Sequence, residues 1–134
     1  MKSLLASIVI LVAAAEAHAQ ATVTLMPGNV QELMLSCQVA NRIVTGQVAE
    51  LSDDDGRKLV SCFSYTEGVI MGFLIGGNGS DAGPRFCLPH GTSIGQRAQV
   101  FALWAEQHPE TWHSSAAAGF VSALQAQWPC GASH

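Results

Sequence analysis

Four cysteines behind an export signal constrain this chain more than any other feature of its sequence. Lys2 supplies a positive start, Leu4 to Ala15 form an apolar run broken only by Ser7, and Ala17-His18-Ala19 carries the small-x-small pattern that signal peptidase reads. The run is shorter than the roughly 20 apolar residues of a membrane span, so the sequence predicts a cleavable signal peptide over residues 1–19 rather than a retained anchor. The first cysteine is Cys37, too far along for lipid attachment at the end of the run. Residues 20–134 then form one exported domain, long enough to bury roughly two thirds of the surface of the unfolded chain. In an oxidising compartment an even set of cysteines reads as disulfides, and Cys37, Cys62, Cys87 and Cys130 allow three pairings.

Charge narrows the possible partners. The formal net charge is −4, and loss of Lys2 and Glu16 with the signal leaves it unchanged. The remaining cations, Arg42, Arg57, Lys58, Arg85 and Arg97, are scattered, so the chain lacks the basic stripe that nucleic-acid binding requires. No second apolar run approaches spanning length, and the sequence predicts a soluble protein with no membrane association after signal cleavage.

The spacing of apolar residues is helical. Val30, Leu33, Met34, Cys37 and Val39 mark a helix over 28–41. Residues 46–57, with the acidic run Asp53-Asp54-Asp55 before Gly56, read as a solvated turn. A second helix is predicted from Lys58 to Leu74, followed by a Gly-, Asn- and Ser-rich loop over 76–85 and an extended stretch at Phe86-Cys87-Leu88-Pro89. Ser93 with Gln96 is a capping-box pattern that starts a third helix burying Val100, Phe101 and Trp104. His108-Pro109 ends it, with His108 placed to cap a fourth helix that Pro109 opens and that carries Trp112, Ala116, Phe120, Ala123, Leu124 and Trp128. Ala21 to Leu25 alternates weakly, as a short strand or a leader. The expected fold is all-α, a compact bundle of four or five helices. Short connections make consecutive helices antiparallel, which favours Cys37–Cys62 across the first two helices and Cys87–Cys130 across the ends of the last two.

Tests for chemistry fail in instructive ways. An EF-hand loop with Gly56 sixth would place Leu51 first and Cys62 twelfth, where acids are needed. Gly77-Asn78-Gly79-Ser80-Asp81-Ala82 resembles a dinucleotide fingerprint in letters but follows a helix and precedes Gly83-Pro84. Cys87-Leu-Pro-His90 has a zinc-like spacing without a matching second pair. His108 and His113 are five apart, off the i, i+4 register of a helical zinc pair, and His113 sits three after Glu110 as a surface pair. The sequence thus predicts no catalytic residue, no metal and no cofactor. Gly68 and Gly72, four apart on the second helix, signal close approach of another backbone, inside the bundle or across a dimer.

Cys62-x-x-Tyr65-x-x-Gly68-x-x-x-Gly72, then Phe86-Cys87-Leu88-Pro89, Gln96, His108-Pro109-Glu110, His113, Ala123-Leu124 and Pro129-Cys130 resemble the Rap1a/Tai family of type VI secretion immunity proteins over roughly residues 30–130. The resemblance implies a periplasmic, helical, disulfide-bonded and often homodimeric protein. Such a protein binds a peptidoglycan amidase effector and occludes its active-site cleft with a protruding loop. Tyr65, Gly68 and Gly72 then serve as a helix-packing motif. The long loop, with Asn78, Ser80, Asp81 and Arg85, is the expected toxin contact, and the 51–57 turn is the second candidate. Two other functions fit an exported, stapled helical domain. One is a periplasmic stress chaperone responding to pH through its histidines; the other is a binding domain of the same fold without a toxin.

Overall fold

Asn29 starts the bundle by capping its first helix. The computed structural model describes residues 26–77 and 86–131; the signal segment, Ala21–Leu25 and the 78–85 stretch lie outside the described residues. The Asn29 side chain accepts from the Glu32 N–H at 2.9 Å. Glu32 in turn accepts from the Asn29 amide at 3.0 Å and from the Gly28 N–H at 2.8 Å. Helix α1 then runs Val30–Val44, with Val30, Leu33, Met34, Cys37 and Ala40 buried along one face. Helix α2 spans Asp53–Gly77, α3 Ile94–Gln107 and α4 Ala116–Gln127, with a 3-10 turn at Pro109–Thr111. The fold is all-α, as the periodicity predicts; among the described residues the only β pairings are isolated bridges, Asn29 to Ser115 and Phe86 to Pro129.

Helix α1 is the hub, packed on α3 most extensively and also on α2 and α4, whereas α2 and α4 barely meet. Small residues permit the close packing: Ala98, Ala102 and Ala105 of α3 and Ala116, Gly119 and Ala123 of α4 are buried around Phe101 and Phe120. Those two rings meet edge to face with centroids 5.7 Å apart. Both favoured disulfides are present. Cys37–Cys62 joins α1 to α2 with Cα atoms 5.1 Å apart, and Cys87–Cys130 joins the segment before α3 to the end of α4 at 4.9 Å.

Three local expectations are corrected. First, α2 begins at Asp53, so the acidic run is its first turn, not a loop. Carboxylates suit the positive end of a helix dipole. The Ser52 hydroxyl accepts from the Asp55 N–H at 3.1 Å and donates to Asp55 Oδ2 at 2.9 Å. Second, α3 has its capping box, Ser93 with Gln96, but His108 does not cap α4. Its ring stacks on Trp104 with centroids 4.4 Å apart, and Nδ1 lies 2.8 Å from the Trp104 carbonyl. Pro109 opens only the 3-10 turn, because the carbonyls that would continue a helix are used elsewhere. Trp112 O accepts from the Gln31 N–H and Ser114 O from the Val30 N–H, satisfying donors at the start of α1. Third, α2 is long and apolar enough to cross a membrane by length and composition, so a second run of spanning length does exist. Glycines and a single acid, Glu67, interrupt the run without lowering the mean hydropathy of the helix enough to matter.

Arg42 binds Asp55 at 2.5 Å, tying the end of α1 to the start of α2. The Ser52 hydroxyl, and then Arg42, hold the Asp55 carboxyl below its ordinary range. A depressed folded-state pKa gives stability that is present above the unfolded value of about 3.9 and is lost as pH falls through the folded one. Thermal melts from pH 7 to pH 2 should therefore show Tm falling below about pH 4, with Asp55→Asn flattening part of that fall. Parallel profiles for the two proteins would rule out this pair as a source of acid sensitivity.

Candidate functional site

No three His, Cys, Asp or Glu side chains gather at metal-binding distance among the described residues. All four cysteines are in disulfides, which leaves no thiolate nucleophile. Glu110 and His113 are both exposed, and no ion pair links them. The candidates that the described residues offer are surfaces.

The most distinctive surface is the outer face of α2. Val60, Met71, Leu74 and Ile75 stand exposed along it, Ile75 to 81%. Ser64, Gly68 and Gly72 lie between them, also exposed. At Gly68 and Gly72 an added Cβ would meet no atom within 4 Å among the described residues. Close packing inside the bundle, one of the two readings of this glycine pair, is thus corrected: the glycines face outward. Only 22% of the apolar window of α2 is buried. Tyr65, the third member of the motif, turns the other way. It is half-buried against the core and hydrogen-bonded to the backbone of Ala117 in the first turn of α4. Burial raises its phenol pKa, and the Ala117 bond partly offsets the rise.

Several clefts among the described residues adjoin this helix. Between α2 and α4, Val69, Phe73, Ala117, Val121 and Gln125 line an apolar groove of about 400 Å³. Along α1, Leu35, Gln38 and Arg42 line a polar cleft of about 480 Å³ with Lys58 of α2 and Glu106 of α3, the Gln38 amide donating to Glu106 at 3.0 Å. Half-buried beside α2, Arg97 of α3 forms an ion pair with Glu67.

Asn78, Ser80, Asp81 and Arg85 lie outside the described residues. Their stretch leaves from the end of α2 and returns at Phe86, whose ring packs on Phe73 with centroids 4.9 Å apart. The second candidate, 51–57, is largely helical, and its Asp54 and Asp55 are engaged with Lys58, Arg57 and Arg42. The apolar stripe of α2 escaped sequence reasoning as a whole. Its signal was present, since Val60, Gly68, Met71 and Ile75 fall on one side of a 3.6-residue repeat.

A family model described as Rap1a immunity proteins matches residues 29–130, from the cap of α1 to the last cysteine. No curated protein and no solved structure matches the chain.

Proposed function

We infer function from the membership that this match establishes: the chain belongs to the Rap1a immunity protein family. Membership carries an immunity function, binding of a cognate secreted effector. At a finer level, the effector is a type VI secretion peptidoglycan amidase. The protein meets it in the periplasm after signal cleavage and inhibits it by occlusion rather than by chemistry. The family match over residues 29–130 carries this reading. Two disulfides suit an exported protein, and an export-type N-terminus precedes the matched region.

The contact surface we assign to the 78–85 stretch, through Asn78, Ser80, Asp81 and Arg85. It lies between a 25-residue helix and a disulfide-anchored segment. Purified mature protein should bind and inhibit the amidase encoded beside it. Replacing Asp81 and Arg85 together with alanine should weaken binding at least about 30-fold, the loss typical of an interface hot spot. Titration calorimetry and a peptidoglycan-hydrolysis assay measure this. Absence of binding to any neighbouring amidase, with no protection of cells, would sink the reading.

The outer face of α2 we assign to a second copy of the chain, the homodimer that the family implies. Ser64 and Gly68 lie toward one end of the stripe and Met71 and Ile75 toward the other. A two-fold antiparallel crossing would therefore set the large residues of one copy against the small ones of the next. Light scattering should find a dimer for the natural protein and a folded monomer for Met71→Asp. A natural monomer, or a dimer that survives Met71→Asp, removes this assignment.

A further inference from the structure

The two disulfides sit in opposite environments. Cys37 and Cys62 are completely buried, between α1 and α2. Cys87 and Cys130 are both exposed, at the margin of the bundle. Thiol–disulfide exchange requires a thiolate to reach a sulfur, so an exposed bridge reacts in the native state, while a buried one waits for the core to open.

The exposed bridge also holds something. Residues 86–89 form a strap that crosses from the end of α2 to the end of α4. The Cys87 N–H donates to the Trp128 carbonyl at 2.9 Å, and Phe86 bridges Pro129. The Phe86 ring packs on Phe73 of α2. Through the Phe86–Phe73 contact this strap ties the last turns of α2 to the end of α4, two helices that barely meet directly. Beyond Ile70 no residue of α2 is fully buried among those described. The opposite end of the helix is fixed independently by Cys62 and by the Arg42–Asp55 pair.

We propose that Cys87–Cys130 is a reversible redox latch: a dithiol reductant opens it in the folded protein, releasing the 86–89 strap and the last turns of α2 while the Cys37–Cys62 core stays closed. One thiolate of the reductant attacks a sulfur of the bridge, forming a mixed disulfide and expelling the other sulfur as a thiolate. The second thiol of the reductant then displaces the remaining cysteine. Two electrons and two protons pass to Cys87 and Cys130, and the reductant leaves as its own disulfide. Oxidation by a disulfide donor reverses the exchange. The buried bridge is thus a permanent staple, and the exposed one sets how tightly the end of α2 is held.

The test uses intact mature protein under native conditions with dithiothreitol as the reductant. Alkylation of new thiols, mapped by mass spectrometry over time, should label Cys87 and Cys130 together at least tenfold faster than Cys37 and Cys62. Hydrogen exchange of that species should accelerate at least tenfold across residues 73–76 and 86–88 and remain unchanged across residues 33–40. Cys87→Ser/Cys130→Ser should stay helical by circular dichroism and show the same exchange pattern without reductant. Simultaneous reduction of both bridges, or Cys37–Cys62 first, overturns the proposal. So does unchanged exchange at 73–76 and 86–88, or a double variant that loses its helices.

Discussion

Gly119→Ala should destabilise the bundle by about 2 kcal/mol, roughly 8 °C in Tm, even though alanine is the better helix former. Gly119 is buried in α4, where the helix crosses the start of α1. A Cβ there would press on Val30 Cγ2 well inside contact distance and lie 3.7 Å from Trp104 Cζ3. The intrinsic helical gain is about 1 kcal/mol. The clash outweighs it because Val30 cannot give way. Its side chain is β-branched and fully buried, and its N–H is bonded to Ser114 O at 3.0 Å. A double-mutant cycle isolates the contact. In Val30→Ala the offending methyl is gone and the built Cβ lies 3.5 Å from the atom that remains, Val30 Cβ. Adding Gly119→Ala to Val30→Ala should therefore be neutral or stabilising. Urea melts of the four proteins measure the coupling; simple additivity would show that the two helices do not meet through this pair.

The contrast between Gly119 and the Gly68–Gly72 pair shows where sequence reading stops. All three glycines sit inside helices, and composition treats them alike. Gly119 is pressed by Val30, whereas Gly68 and Gly72 face open space among the described residues. The difference is set by which helices become neighbours, and local sequence does not encode that. What is local was legible. The Ser93–Gln96 capping box, the buried face of α1 and the pairing of all four cysteines follow from spacing and helix direction. The acidic run misled because water and a helix N-terminus favour the same carboxylates. Pro109 misled because its preference for a first helical turn says nothing of how many turns follow. The family was legible in motifs that hold the scaffold together, Cys62, Tyr65, Cys87 and Cys130 among them. Residues that contact a partner carry no such signature, since the shape and charge of the partner select them rather than the stability of the fold.

The largest stability loss should come from Cys37→Ala/Cys62→Ala, about 5–6 kcal/mol. Two considerations rank the disulfides in opposite orders. Chain entropy favours Cys87–Cys130, whose sequence separation is 43 against 25 for Cys37–Cys62. The logarithmic dependence on loop length makes that advantage only about 0.5 kcal/mol. Burial favours Cys37–Cys62, where both residues belong to the core with Leu33, Met34 and Ile70. Truncating each sulfur there removes roughly 1 kcal/mol of apolar burial, whereas truncating the exposed pair removes little. Burial wins, and Cys37→Ala/Cys62→Ala should melt at least about 5 °C below Cys87→Ala/Cys130→Ala. Thermal melts of both double variants decide the order. An equal or larger loss from the exposed pair would mean that loop closure, not the core, dominates, and that the strap at 86–89 stabilises the whole bundle rather than the end of α2 alone.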